Sequence, residues 1–124
     1  MILYLAADLI WATRIKATAT DLGIAARPVR SLEMLEARLA DSEVKGLVLD
    51  LEQPDVALPM IQRLRGDAAG DRERAIRIVC WAPHVEVDRM EEARRAGADQ
   101  VMARCAFDHN LPAILRTLEA GTTP

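Results

Sequence analysis

The sequence predicts an α/β domain: a parallel five-stranded sheet, doubly wound in the strand order 2-1-3-4-5. Two observations carry this. Five short apolar runs alternate with five helical periods, at about 25 residues per unit over the 124-residue chain. The central run, Lys45–Asp50, holds Gly46-Leu47-Val48-Leu49 without a polar break and stops at Asp50, with Pro54 beyond it. An unbroken run of that length fits a strand covered on both faces by helices. Asp50 then stands at the strand's carboxyl end, the edge where open α/β sheets place ligands and chemistry.

The elements follow in order. Ile2–Ala6 is the first strand. Asp8 caps a helix whose inward face is Leu9, Ala12, Ile15, Ala19 and Leu22, recurring at three- and four-residue steps, and Gly23 stops it in a left-handed turn. Ile24–Arg30 contains Pro28, which cannot donate to a central ladder, so this strand belongs at an edge. Ser31 caps Leu32–Ala40, with Leu32, Leu35 and Leu39 inward. After Lys45–Asp50 and the turn Glu52-Gln53-Pro54-Asp55, a helix runs over Ala57–Arg65 with Met60, Ile61 and Leu64 inward and Pro59 in its first turn.

Gly66–Arg74 is polar, holds two glycines, and reads as a solvated loop. Ala75–Trp81 is the fourth strand, Val85–Ala96 a helix stopped at Gly97, and Ala98–Ala103 the fifth strand. Asp108 or Asn110 caps a last helix through Ala120, with Pro112 near its first turn, and Gly121–Pro124 frays. The whole chain, 1–124, is one domain with core enough to fold without staples.

Composition excludes several functions. A net charge of −3, with Arg scattered among Asp and Glu, offers no basic stripe for nucleic acid. No apolar run approaches the roughly 20 residues of a membrane span. Met1-Ile2-Leu3-Tyr4 lacks the charged start of a signal peptide, so a cytoplasmic location is expected. Cys80 and Cys105 fall in no CxxC pair and have no His at metal spacing; two reduced thiols are expected, and no metal site.

Two segments, LVLDLEQP (Leu47–Pro54) and ARRAGADQVMARCAF (Ala93–Phe107), with Leu22-Gly23 closing the first helix, resemble bacterial response-regulator receiver domains of the CheY-like, flavodoxin-like class. The resemblance implies an acceptor Asp ending the third strand, phosphorylated by a histidine kinase. It also implies two acidic residues after the first strand holding Mg²⁺, a Thr or Ser ending the fourth strand, and a Lys-Pro pair ending the fifth. Metal and ammonium neutralise charge developing on the phosphoryl oxygens, and the hydroxyl senses the product.

Asp50 matches the acceptor, but the other positions are degenerate. The acidic pair is Ala6 and Ala7, the hydroxyl position is Trp81, the Lys is Arg104, the Pro is Cys105, and the aromatic switch position is Val101. Mg²⁺ needs carboxylates in fixed octahedral positions. Asp8 and Glu52 stand close enough in sequence for a makeshift site, against plainer readings as a helix cap and a solvated turn residue. Arg104 either holds Asp50 through two parallel hydrogen bonds or lies along the surface. Trp81 is expected to occupy space that a receiver leaves open for phosphate.

The expected function is therefore that of a non-enzymatic pseudo-receiver. It would bind a signalling protein, or a second copy, without phosphorylation and without a cofactor. The resemblance places the partner face on the fourth helix, fifth strand and fifth helix, where Arg89, Glu92, Arg94, Arg95 and Arg116 give mixed charge. Two alternatives stand beside it. One is a working phosphoacceptor using Asp50, Asp8, Arg104 and Mg²⁺. The other is a small-molecule module on a flavodoxin-like sheet, although Ala6-Ala7-Asp8-Leu9 is no glycine-rich phosphate loop. A Cys105–His84 nucleophile pair across neighbouring strand ends is a further, weaker reading.

Overall fold

The computed structural model describes residues 1–83 and 86–121. Strands β1 (Ile2–Leu5), β2 (Ala26–Pro28), β3 (Gly46–Asp50), β4 (Arg77–Ala82) and β5 (Gln100–Ala103) form one sheet in the order β2-β1-β3-β4-β5, all pairs parallel. Every residue of β3 is buried, as expected for a strand covered on both faces. Pro28 sits on the edge strand, where its missing donor costs no ladder bond.

Alternation along the strands sorts the core into two layers. Leu3, Leu5, Leu47, Leu49, Ile78 and Cys80 face α2 (Leu32–Asp41), α3 (Pro54–Arg65) and α5 (Val87–Ala96). Ile2, Tyr4, Val48, Val79 and Trp81 face α1 (Leu9–Asp21) and α6 (Arg104–Glu119). Gly46 admits a close approach of α6, because a Cβ there would lie 3.0 Å from Leu118 Cβ.

Asp8 and Ser31 cap as expected, accepting from the Trp11 and Met34 amides. Gly97 ends α5 at φ +119 and Gly23 follows α1 at φ +71, both left-handed. Several expectations need correction. Leu9 is 80% exposed and Leu32 40%, so neither joins its helix's buried face; each is the first residue of its helix. Helix α3 starts at Pro54, whose absent N–H is harmless at the first position. Pro59 therefore lies in the second turn and removes the bond to the Asp55 carbonyl.

Helix α6 likewise starts at Arg104 with Ala103 as its cap, not at Asp108 or Asn110, and Pro112 is interior. Packing decides that start: Phe107 is fully buried and stacks on Trp81. Strand β4 begins two residues later than expected, at Arg77.

Gly66–Arg74 is not a plain solvated loop. It contains the short helix α4 (Asp71–Arg74), and three arginines knit it to the body. Arg63 pairs with Glu73, Arg65 donates to the Glu73 and Ile76 carbonyls, and Arg74 donates to the Gly66 and Ala69 carbonyls. Val85 and residues 122–124 of the expected tail lie outside the described residues.

Candidate functional site

Asp50 ends β3 beside Trp81, its register partner on β4. It is the one fully buried charged side chain among the described residues. Oδ2 accepts from the Ala7 amide at 2.9 Å and Oδ1 from the Glu52 amide at 3.0 Å. Burial pushes its carboxyl above the ordinary value, against the lowering effect of those two amides. The carboxylate thus ties the β1–α1 loop to the β3–α3 turn.

Ala6 and Ala7 line a shallow cleft of about 290 Å³ with Gln53 and Arg30, and neither alanine side chain offers a ligand. Asp8 is turned to its own helix, with Oδ1 2.9 Å from the Trp11 amide nitrogen. Arg104 does not bond Asp50. Its Nη2 pairs with the Glu52 carboxylate, and its guanidinium lies 5.5 Å from the centre of the Trp11 ring. Of the two expected placements, the contact with Asp50 is not made; the side chain lies along the surface, about one-third exposed and paired there. Glu52 is an exposed turn residue, as expected, and its carboxylate is held by Arg104.

The receiver resemblance implies Mg²⁺ here, and these residues do not fit it. Both Asp50 oxygens accept backbone N–H groups, Asp8 caps α1, Glu52 is paired, and the acidic pair is two alanines. Among the described residues no three His, Cys, Asp or Glu side chains cluster as a cation site requires.

Trp81 points into the α1/α6 layer. Its ring stacks on Phe107, centroids 4.3 Å apart and planes 6° from parallel, and Trp11 leans on both at 6.3 and 6.2 Å. Trp81 Nε1 is buried with no acceptor among the described residues. Tyr4 belongs to the same layer, so all the chain's aromatic residues, two Trp, one Tyr and one Phe, gather on one side of the sheet.

Val101 is buried in the opposite layer. Cys105 is exposed in the first turn of α6, lining a groove of about 410 Å³ with Trp11, Pro83, Arg104 and Asp108. Cys80 is buried and in no disulfide; desolvation pushes its thiol far above the ordinary range. His84 lies outside the described residues, and with it the Cys105–His84 pair.

On the expected partner face, Arg95, Glu92 and Arg116 are exposed. Arg94 pairs with Glu91 and reaches the Val101 carbonyl. Arg89 pairs with Glu86 and donates to the Leu51 carbonyl just past β3, so it is partly spent on the site edge.

Sequence reasoning missed Trp11, Phe107 and the Glu52–Arg104 pair. For the two aromatics a usable signal was present: aromatics are only 3% of the chain, so each is a candidate anchor. The Glu52–Arg104 pair carried none, because its members stand 52 residues apart.

No protein-family model and no curated protein sequence matches the chain. Solved structures do. A response-regulator signal receiver domain from Bermanella marisrubri superposes with a TM-score of 0.78 at 18% identity, over 95% of this chain and 96% of that one. The chain has the receiver fold. The receiver domain of a signal transduction histidine kinase from Syntrophus aciditrophicus gives 0.78 at 17% identity, over 97% of this chain and 89% of that one. A Burkholderia pseudomallei response regulator, whose crystal structure carries a phosphorylated aspartic acid and a calcium ion, gives 0.72 at 19% identity, over 96% of this chain and 68% of that one. Among the described residues of this receiver fold, no helix is long and apolar enough to cross a membrane.

Proposed function

We propose that the chain, taken as one receiver-like unit over 1–124, is a pseudo-receiver. On this reading it is a non-enzymatic signalling module that works by phosphorylation-independent contact with another protein or a second copy of itself. One observation carries the reading: the acceptor-position carboxylate is buried with both oxygens on backbone amides, and the positions that would hold a metal beside it are Ala6 and Ala7.

A phosphoryl acceptor needs an accessible oxygen and a cation opposite the incoming charge. Asp50 would have to give up one of its hydrogen bonds from a backbone N–H to supply the oxygen. The nearest candidate cation, Arg104, is paired with Glu52. Trp81 fills the hydroxyl position with a stacked ring whose one donor is buried. The partner face is proposed on α5, β5 and α6, with the exposed Glu92, Arg95 and Arg116 setting register more than adhesion.

The test is intact-mass analysis after incubation with acetyl phosphate and Mg²⁺. The parent protein is expected to stay unmodified. Stoichiometric phosphorylation that is lost in Asp50→Asn would replace this reading with the working phosphoacceptor.

A further inference from the structure

Four contacts around Asp50 close into a ring. The Ala7 and Glu52 amides donate to the two Asp50 oxygens at 2.9 and 3.0 Å. The Glu52 carboxylate pairs with Arg104, the first residue of α6. The Arg104 guanidinium lies over Trp11, which returns the path to α1, four residues beyond Ala7. The ring crosses three separate connections, β1–α1, β3–α3 and β5–α6, all on the carboxyl edge of the sheet.

We propose that Arg104 acts as a built-in cation whose bridge between Glu52 and Trp11 clamps the β1–α1 and β3–α3 loops to the β5–α6 junction and keeps Asp50 covered. The chemistry suits the task. A guanidinium is permanently charged, presents a planar fork to a carboxylate, and stacks on an aromatic face with its remaining surface. Both partners are only about one-third exposed, at 32% and 36% of their side-chain surface, so water screens the pair less than it would a fully solvated one. A second cation supports Trp11 in the same way. Arg14 lies 5.9 Å from the ring centre and pairs with Asp108 of α6 at 2.5 Å, which gives α1 and α6 a second bridge at the indole. The clamp needs no external ion, and its opening is what would give solvent access to Asp50.

Native-state amide exchange on the full chain tests the clamp, without metal or phosphoryl donor. In Arg104→Ala and in Glu52→Gln, the Ala7 and Glu52 amides are expected to exchange about tenfold faster than in the parent. Central amides of β3 and β4 should stay unchanged, which shows that each variant is folded. The charge-swapped double variant, Glu52→Arg with Arg104→Glu, remakes the ion pair but not the contact with Trp11, and should restore part of the protection. Unchanged exchange at Ala7 and Glu52 in both single variants would overturn the clamp, and so would a swap that restores nothing. The clamp rests on the geometry of the edge and not on the pseudo-receiver reading. Its failure would leave the acetyl phosphate result to decide that reading separately.

Discussion

At the scale of the residue, Asp50 is a structural acceptor before it is anything else. Asp50→Ala should leave two amides without an acceptor, at a cost of about 1–3 kcal/mol for each donor left buried and unpaired. Its pH dependence has a definite sign. Burial holds the carboxyl above its ordinary 3.8, so the folded chain binds that proton more readily than the unfolded one. The stability this brings is full below the unfolded value and is lost as pH rises through the higher folded value. Asn cannot titrate, so the stability deficit of Asp50→Asn relative to the parent should shrink as pH rises across that window. Urea unfolding at matched pH values measures it. Trp81 carries the opposite lesson. Restoring a hydroxyl with Trp81→Thr should cost about 3–5 kcal/mol by the precedent of aromatic truncations in cores, because it unstacks Phe107 and empties the centre of the α1/α6 layer.

At the scale of the element, helix ends divide into those set by local chemistry and those set by packing. Helices α1 and α2 start where Asp8 and Ser31 can cap them, and these starts were legible from the sequence. Asp8→Ala should cost about 1 kcal/mol in thermal or urea unfolding while Asp8→Asn costs only a few tenths, with no dependence on added Mg²⁺. The start of α6 was not legible. Asp108 and Asn110 are good capping types, but Phe107 must reach Trp81, and the helix is drawn back to Arg104. At the end of α5, Gly97 was legible as a stop but not as a packing constraint. A Cβ there would lie 2.7 Å from Arg65 Cγ at φ +119. Arg65 also ties the Gly97 and Ile76 carbonyls to Asp99. Gly97→Ala should therefore destabilise by about 1–3 kcal/mol.

At the scale of the whole molecule, strand order and the two-layer core follow from alternation and from right-handed crossovers, both properties of the chain read locally. The site was legible only as a set of positions. Which residues touch there depends on three loops that meet from distant parts of the sequence, so the partner of Arg104 could not be read from spacing. Leu9 and Ile10 stand exposed, 80% and 75%, at the start of α1. On the proposed reading this edge is closed and insensitive to phosphate.

Amide spectra of the labelled protein with and without beryllofluoride and Mg²⁺ test that most directly. A closed edge gives superimposable spectra, with the Ala7, Asp50, Glu52 and Arg104 amides unmoved. Saturable shifts at those four amides that spread into α5, β5 and α6 would contradict it.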